Sequence, residues 1–147
     1  MKSIIISENN FQNARKKIRE NQRNEIIFSS EDDELIKKIL EKEKINVLLL
    51  NLAKKKDRFK QRDSGFDQVL AKLAKKKDVI LGINLNEILN SEKKEKSDIL
   101  ARVKQNIQLC NKNKIKMRFI SSKKLEKYNL KSLGLILGMP TWMTKEL

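Results

Sequence analysis

Short, continuous apolar runs alternate along this chain with longer stretches in which apolar residues recur every three or four positions. Continuous apolar runs are typical of strands buried in a parallel sheet, and the longer spacing is typical of helices that pack on such a sheet. The pattern therefore predicts helices alternating with five strands, placed at residues 4–6, 25–29, 45–51, 79–85 and 116–121.

Residues suited to helix ends locate the predicted helices more closely. Asn9 or Asn10 can cap a first helix, and Ser30 can cap a second, whose acidic first turn, residues 31–34, suits the helix dipole. Residues 91–96 should be polar surface. Further helices are predicted at residues 66–76, from residue 97 onward, and at 122–128 and 130–139, as two short pieces stopped by Pro140.

Repeated βα units predict the α/β fold class, with a parallel sheet of about five strands covered by helices on both faces. A closed (β/α) barrel usually takes about 250 residues, so this sheet should be open or partly curled, with its edges covered by terminal helices or a partner. Gly82 interrupts the fourth strand, where a glycine often marks the close approach of another backbone. One proline and four glycines give no sign of a linker, so residues 1–147 should form a single domain.

Positive charge is concentrated in the last two thirds of the chain. The sequence has 34 Lys+Arg and 19 Asp+Glu, a formal net charge of +15, but residues 1–50 carry 10 basic and 9 acidic side chains. Such an excess repels itself in the compact state, and a polyanion relieves the repulsion and gains from counterion release. Nucleic acid binding is favoured over a membrane, since no basic amphipathic segment is paired with exposed aromatics. The alternative is that the lysines only solvate the surface.

The densest positive charge lies immediately before the third predicted helix, in residues 54–64, which are named the basic segment. A positive loop tied to a rigid helix start can present cations to phosphates in a fixed geometry, and Gly65 would supply a turn with positive φ. The apolar side of that helix should carry Phe66, Val69, Leu70, Leu73 and Ala74. The predicted RNA-binding residues are Lys54, Lys55, Lys56, Arg58, Lys60, Arg62 and Lys72, and Asp63, Gly65 and Asp67 should shape the loop.

The residue types needed for independent catalysis are scarce. The chain has no histidine, which removes the commonest general base and metal ligand, and it has no Asp-rich or glycine-rich binding loop. Ser64 lacks the glycine that a nucleophile elbow requires two residues earlier. Asp63 and Asp67 could form a catalytic carboxylate pair, but a salt bridge to Arg62 and a helix-start acid explain them better. No catalytic residue and no metal site are therefore predicted.

The lone cysteine and the apolar runs indicate the cellular setting. Cys110 excludes an internal disulfide and lies in a helical apolar pattern, where it should be a small buried hydrophobe. The apolar run near the N-terminus is too short for a signal peptide, and no stretch approaches the roughly 18 apolar residues of a membrane span. We expect a soluble, cytoplasmic protein without a membrane partner.

Aromatic residues are too few to suggest the readout of single-stranded RNA by stacking. Phe28 and Phe119 lie within predicted strands and should be core. Phe59 is the one candidate for base stacking, although packing beneath the loop is at least as good an interpretation. Trp142 either fills a gap in the core or forms a surface patch for a partner. Phosphate contacts to a folded RNA suit this composition better.

Residues 60–74, KQRDSGFDQVLAKLA, resemble the RDxGxDxVLxKLA signature of ribonuclease P protein component 3. This family is the archaeal counterpart of the thirty-kilodalton protein subunit of eukaryotic ribonuclease P and MRP. Residues 99–110, ILARVKQNIQLC, are similar to its RxxxNIxLC helix, and residues 79–85, 114–122 and 132–139 are similar to its neighbouring strands and its glycine-bearing final helix. The resemblance covers residues 45–139 well and the first 44 only in pattern.

The resemblance implies a TIM-like (β/α) barrel and a non-catalytic subunit that supports the RNA of ribonuclease P, which removes the 5′ leader from precursor tRNA. It implies ribonuclease P RNA, precursor tRNA, the RRM-like protein component 2 and other ribonuclease P proteins as partners. The chain itself should bind no cofactor, whereas the RNA should need Mg²⁺. The signature usually lies well past residue 100, so we expect an N-terminally shortened member with a partial, open barrel.

Two other functions compete with this hypothesis. One is a basic α/β scaffold that contacts proteins only, without touching RNA. The other is a metal-dependent hydrolase related to the histidine-rich phosphoesterases that share the fold, which the absence of histidine opposes.

Overall fold

The structure is a computed structural model that describes residues 2–53, 65–145 and 147. Strands and helices alternate through these residues, with one extra helix after the fourth strand and another at the end. The elements are β1 (Ser3–Ser7), α1 (Phe11–Glu20), β2 (Glu25–Ser29), α2 (Asp33–Lys42), β3 (Val47–Leu50), α3 (Gln68–Lys76), β4 (Ile80–Asn84), α4 (Leu85–Asn90), α5 (Lys93–Asn113), β5 (Met117–Ile120), α6 (Lys127–Ile136) and α7 (Thr141–Thr144).

The five strands form one open, entirely parallel sheet in the order β1-β2-β3-β4-β5, which confirms the predicted fold class. Each strand pairs with the next one along the chain. Because crossover connections between parallel strands are right-handed, a sheet in chain order places its crossover helices on the same face. This is the arrangement of a TIM-like barrel, and here it is not closed.

The two faces of the sheet are packed differently, so the expectation of helices on both faces is wrong. Strand residues such as Phe28, Leu48 and Leu81 join the main core, together with every buried apolar helix residue that the structure describes. Ile27, Val47 and Leu49 form a separate small cluster on the other face, which is named the inner face. Within the described residues, this cluster is formed by strand side chains, with Ile80 and Ile120 packed against it, and no helix contributes to it.

An ion pair across the inner face shows that the sheet is curled. Arg118 of β5 donates from Nη1 to Glu25 Oε1 of β2, although β3 and β4 lie between these strands. Three interstrand spacings span about 14 Å in a flat sheet, so the contact requires the strands to bend toward each other. Ser3 Oγ also donates to Glu25, at 2.9 Å. Burial alone would raise the pKa of Glu25, but the bonds from Arg118 and Ser3 hold it below its usual value.

Side-chain caps begin the first two helices, and one of them differs from the prediction. Asn10 caps α1, accepting from the Asn13 N–H at 3.2 Å. α2 is capped by Asp32, not Ser30, and its Oδ1 accepts from the N–H groups of residues 34 and 35. Ser30 instead holds the backbone of the capping residue itself. Its hydroxyl accepts from the Asp32 N–H at 3.1 Å and donates to Asn9 Oδ1.

The second half of the chain is more helical than its sequence suggests. Residue 85 begins α4 instead of ending a strand, and α5 begins at Lys93, so most of the expected polar surface at 91–96 is helical. Ser91 is buried and donates to the Ile88 carbonyl at 3.1 Å. Residues 122–126 are not helical, and one helix, α6, replaces the two predicted pieces. α6 ends at Ile136, before Pro140, and Pro140 is the N-cap residue of α7. Proline is well tolerated at the start of a helix, where its missing N–H is not needed.

Gly82 makes room for its neighbours on the inner face. A Cβ there would lie 3.1 Å from both Ile120 Cγ1 and Val47 Cγ1, and 3.3 Å from Leu49 Cδ1. The close approach predicted at this glycine is therefore made by side chains of the adjacent strands and not by backbone.

Candidate functional site

The basic segment falls outside the described residues. Gly65, Asp67 and Lys72 are described and can be placed, as can the backbone on both sides of the segment. The predicted residues that lie outside the described ranges are Lys54, Lys55, Lys56, Arg58, Phe59, Lys60, Arg62, Asp63 and Ser64. Their RNA-binding and loop-shaping roles stay predictions.

Before the basic segment, side chains from two helices hold the backbone at Leu52. The Leu52 N–H donates to Glu87 Oε2 of α4 at 2.9 Å, and the Leu52 carbonyl accepts from Arg102 Nη1 of α5 at 3.2 Å. Leu52 and Arg102 are each 4% exposed. Both backbone polar groups of Leu52 are thus bonded to side chains, which fixes the point where the chain leaves β3 toward the segment.

Sequence reasoning alone does not assign Glu87 or Arg102 to the site. For Arg102 a signal exists, because it is the first residue of the pattern that resembles RxxxNIxLC. For Glu87 there is none, since an acid in the first turn of a short helix usually serves only the helix itself.

Burial raises the pKa of Glu87 above its ordinary value, and the nearby Glu95 carboxylate adds to the effect. The N–H groups of Leu52 and Ala53 donate to Glu87 and act in the opposite direction, but burial dominates. The carboxyl group is therefore an acceptor for the backbone at the start of the basic segment, held where its charge is costly.

After the basic segment, three successive residues fix the entry into α3. Gly65 has φ of 77°, the positive value expected of a glycine before this helix. Phe66 is buried in the main core. Asp67 is the N-cap, and its Oδ1 accepts from the Leu70 N–H at 2.9 Å. The basic segment therefore returns to the domain through a turn, a buried anchor and a capped helix.

α3 packs on the core with the predicted side except at Val69: Phe66, Leu70 and Ala74 are buried, and Leu73 is partly buried against the main core. Its buried residues are Leu70, Ala71 and Ala74, whereas Val69 is 58% exposed. Lys72, from the predicted RNA-binding set, is exposed three residues after Val69 and shares its outer side.

The buried side of α5 carries polar residues beside its apolar ones. Arg102 and Asn106 are one helical turn apart, and both are buried. Within the part of the chain that the structure describes, Asn106 Oδ1 accepts no hydrogen bond. Cys110 follows one turn later, and burial raises its pKa to about 12. As predicted, it is a buried small hydrophobe, and it is unsuited to nucleophilic chemistry.

The aromatic residues outside the basic segment are mainly structural. Phe28 and Phe119 are buried, as predicted. Trp142 is half-buried against the main core, and its indole N–H donates to Asn111 Oδ1 at 3.0 Å. The Lys114 ammonium lies 5.3 Å from the centre of its ring. Trp142 thus packs on the core and presents one face to a lysine.

A cavity of about 290 Å³ lies on the inner face, near the carboxyl ends of the strands. Above its apolar floor, Asn51 donates to Ser29 Oγ at 3.1 Å, and Asn84 donates to Asn51 Oδ1 at 3.2 Å. Serine and asparagine side chains form hydrogen bonds but do not titrate near neutral pH. This polar chain links three strand ends and offers no general acid or base.

Metal-binding clusters and membrane-spanning helices are both absent from the described residues. No group of three or more His, Cys, Asp or Glu side chains is arranged there to hold a metal ion. None of the helices in these ranges combines the length and the apolar character that crossing a bilayer requires.

Comparison with known proteins gives a likeness in fold. No protein-family model matches this sequence. Among solved structures, the fold is similar to that of a chain in the cryo-EM structure of archaeal ribonuclease P with mature tRNA, with a TM-score of 0.76 and 19% sequence identity. The alignment covers 97% of this chain and 62% of that one. The present chain thus spans less than two thirds of the length of the chain that it matches.

Proposed function

We propose that this chain is a non-catalytic protein subunit of ribonuclease P, which binds and supports the RNA that removes the 5′ leader from precursor tRNA. The resemblance around residues 60–74, the net charge of +15 and the likeness in fold to a chain of archaeal ribonuclease P support this function. The observation that carries it is the fixed backbone on both sides of the basic segment.

Those fixed ends matter because binding costs conformational freedom. A segment whose two ends are already fixed by buried groups has less conformational entropy to lose than a free tail. Binding of its cations to phosphates is therefore less costly. Leu52 on one side and Phe66 on the other supply such anchors. The arrangement suits phosphate contacts that position an RNA without reading its bases.

The proposed subunit also needs protein partners, and α6 offers a surface for one. Tyr128 and Ile136 are 77% and 78% exposed, and Leu135 beside Ile136 is also exposed. Residues seven positions apart lie on nearly the same side of a helix, so Tyr128 and Leu135 share one side, with Ile136 next to Leu135, and these exposed apolar side chains suit a protein contact. We propose the RRM-like component 2 as that partner, and we place the Mg²⁺ requirement on the RNA.

The basic segment is tested by replacing Lys54, Lys55 and Lys56 with glutamate. Affinity for ribonuclease P RNA, measured by fluorescence anisotropy over a range of KCl concentrations, should fall. The slope of log K against log salt should flatten by roughly one unit for each phosphate that the variant no longer neutralises. The matched control replaces Lys123, Lys124 and Lys127, which are exposed far along the chain, with glutamate.

A slope that changes equally in both triple variants would remove the basic segment from the interface. Cleavage of precursor tRNA by the purified protein without RNA would refute the non-catalytic role. A wild-type protein that binds no RNA, with or without component 2, would favour the protein-only scaffold instead.

The α6 surface is tested by the double variant Tyr128→Ser and Ile136→Ser. Its affinity for component 2, measured by calorimetry, should drop about tenfold or more, because exposed apolar anchors dominate such interfaces. Leu89→Ser is the control, since Leu89 is also an exposed apolar residue but lies on α4. Unchanged affinity in the double variant would place the partner elsewhere.

A further inference from the structure

Six lysines gather where α3 and α5 end, outside the predicted RNA-binding set. All six are exposed, and the two stretches that contain them, residues 75–80 and 110–117, hold a single acid, Asp78. These lysines, which are named the lysine cluster, are Lys75, Lys76, Lys77, Lys112, Lys114 and Lys116.

Direct bonds join α3, at both its start and its end, to the end of α5. Lys75 Nζ donates to the Lys114 carbonyl at 3.0 Å. The side-chain amides of Gln68 and Asn113 bond to each other in both directions, at 3.0 and 3.2 Å. A small depression of about 40 Å³ lies between the ends, bordered by Lys75, Asp78, Lys114 and Lys116. The cluster is thus held together by the fold and is not only dense in the sequence.

Helix stability does not account for the whole cluster. Cations in the last turn of a helix interact favourably with its dipole, which explains Lys75, Lys76 and Lys112. Lys77 and Lys114 are the C-cap residues of these helices and Lys116 lies beyond them, and the two helix ends together carry only about one negative charge, fewer than the six lysines bring.

At the end of α2, on the same edge of the sheet, positive charge is compensated by a carboxylate. Glu43, at the end of α2, lies 2.9 Å from Arg15 Nε and 3.3 Å from Arg19 Nε of α1. There the fold supplies a buried carboxylate that compensates two cations. In the two stretches that end α3 and α5, residues 75–80 and 110–117, six lysines stand against the one acid Asp78, a formal excess of five positive charges.

Resting on the function proposed above, we infer that the lysine cluster is a second phosphate-binding surface for the RNA. Lysine is depleted from protein–protein interfaces and common at phosphate contacts, which favours an RNA backbone over an acidic protein. The surface also continues from the basic segment, because Gln68 follows Asp67 directly and is bonded to Asn113. Exposed Lys72 lies on α3 between Gln68 and Lys75. The RNA backbone therefore follows α3 from its start to its end.

The test compares triple lysine-to-glutamine variants in RNA-binding titrations at several KCl concentrations. Replacing Lys75, Lys77 and Lys114 should flatten the salt slope by up to roughly three units and weaken binding most at low salt. A second variant replaces Lys76, Lys77 and Lys112, and so keeps the Lys75–Lys114 bond in case its removal perturbs the fold. The control replaces Lys123, Lys124 and Lys127, and thermal melts compare the folding of all three.

The outcomes separate this inference from the proposed function. If the wild-type protein binds no RNA, the proposed function fails and this inference fails with it. If the wild type binds and both cluster variants match the control, the RNA-binding function survives and the second surface is refuted. A cluster variant that loses only an acidic protein partner, with its RNA salt slope unchanged, would refute it as well.

Discussion

The negative charge of the buried Glu87 carboxylate destabilises the folded state, whereas its oxygen atoms stabilise it by accepting backbone hydrogen bonds. Its carboxyl group accepts from the backbone at Leu52 and Ala53, and burial raises its pKa. A carboxyl group whose pKa is higher in the folded state binds its proton more tightly there. The folded state therefore loses stability as the pH rises from the unfolded pKa toward the folded one.

Replacing Glu87 with glutamine should keep the acceptor and remove the charge. The free energy of unfolding at pH 7 should be unchanged or higher, and the part of the pH dependence that Glu87 causes, a loss of stability as the pH rises above its ordinary pKa, should disappear. Glu87→Ala leaves the Leu52 and Ala53 N–H groups without this acceptor, and should lower stability by about 1–3 kcal/mol. Urea denaturation at several pH values measures both effects. Equal stability of the two variants would show that the acceptor is dispensable.

At the same scale, some residues of the candidate site can be predicted from the sequence and others cannot. The positive φ of Gly65 and the helix-start role of Asp67 follow from local chemistry, because they depend only on the turn and the helix beside them. Glu87 and Arg102 act on Leu52, 35 and 50 residues away. Contacts of that kind depend on how helices are placed on the sheet, which no local pattern specifies.

At the scale of elements, strands are easier to predict than helices. The apolar runs of β2 to β5 are mostly buried on the parallel sheet, whereas the edge strand β1, also predicted to be buried, is largely exposed, with Ile5 58% exposed; all five strands overlap the predicted ranges. The predicted apolar side of α3 is confirmed at Phe66, Leu70, Leu73 and Ala74 and is wrong at Val69, which is 58% exposed. α4 is only six residues long, too short for helical periodicity to separate it from the end of a strand.

The ion pair across the inner face predicts how the curled sheet responds to mutation and pH. Arg118→Met keeps an extended side chain but removes the bond to Glu25, and should lower the free energy of unfolding by about 1.5–3 kcal/mol at neutral pH. Because the pKa of Glu25 is lowered in the folded state, its contribution is present above the unfolded pKa and is lost as the pH falls through the folded pKa.

Urea denaturation at neutral and acidic pH tests this prediction. The difference between wild type and Arg118→Met should shrink in acid, and Arg23→Met, at an exposed arginine, should show little effect at either pH. A difference of the same size at both pH values would mean that Arg118 stabilises the sheet by packing alone.

At the scale of the whole molecule, uncompensated positive charge is the dominant property. A formal net charge of +15 repels itself in the folded state, and added salt screens that repulsion. When KCl is raised about tenfold from a low concentration, the melting temperature should therefore increase by roughly 2–4 °C, which corresponds to about 1 kcal/mol for a protein of this size.

Differential scanning calorimetry measures this salt effect. Neutralising Lys75, Lys77 and Lys114 should reduce the rise, because these residues lie in a region of strong excess charge. A melting temperature that falls with salt would indicate that favourable ion pairs outweigh the repulsion.

The sheet keeps its strands in the order in which the chain makes them. In such a sheet the first and last strands of the chain are the edge strands. A βα unit can therefore be added or removed at either edge without changing how the remaining strands pair. One topology can thus serve chains of quite different size, which gives a physical reason why nearly all of this chain can superimpose on 62% of a longer one.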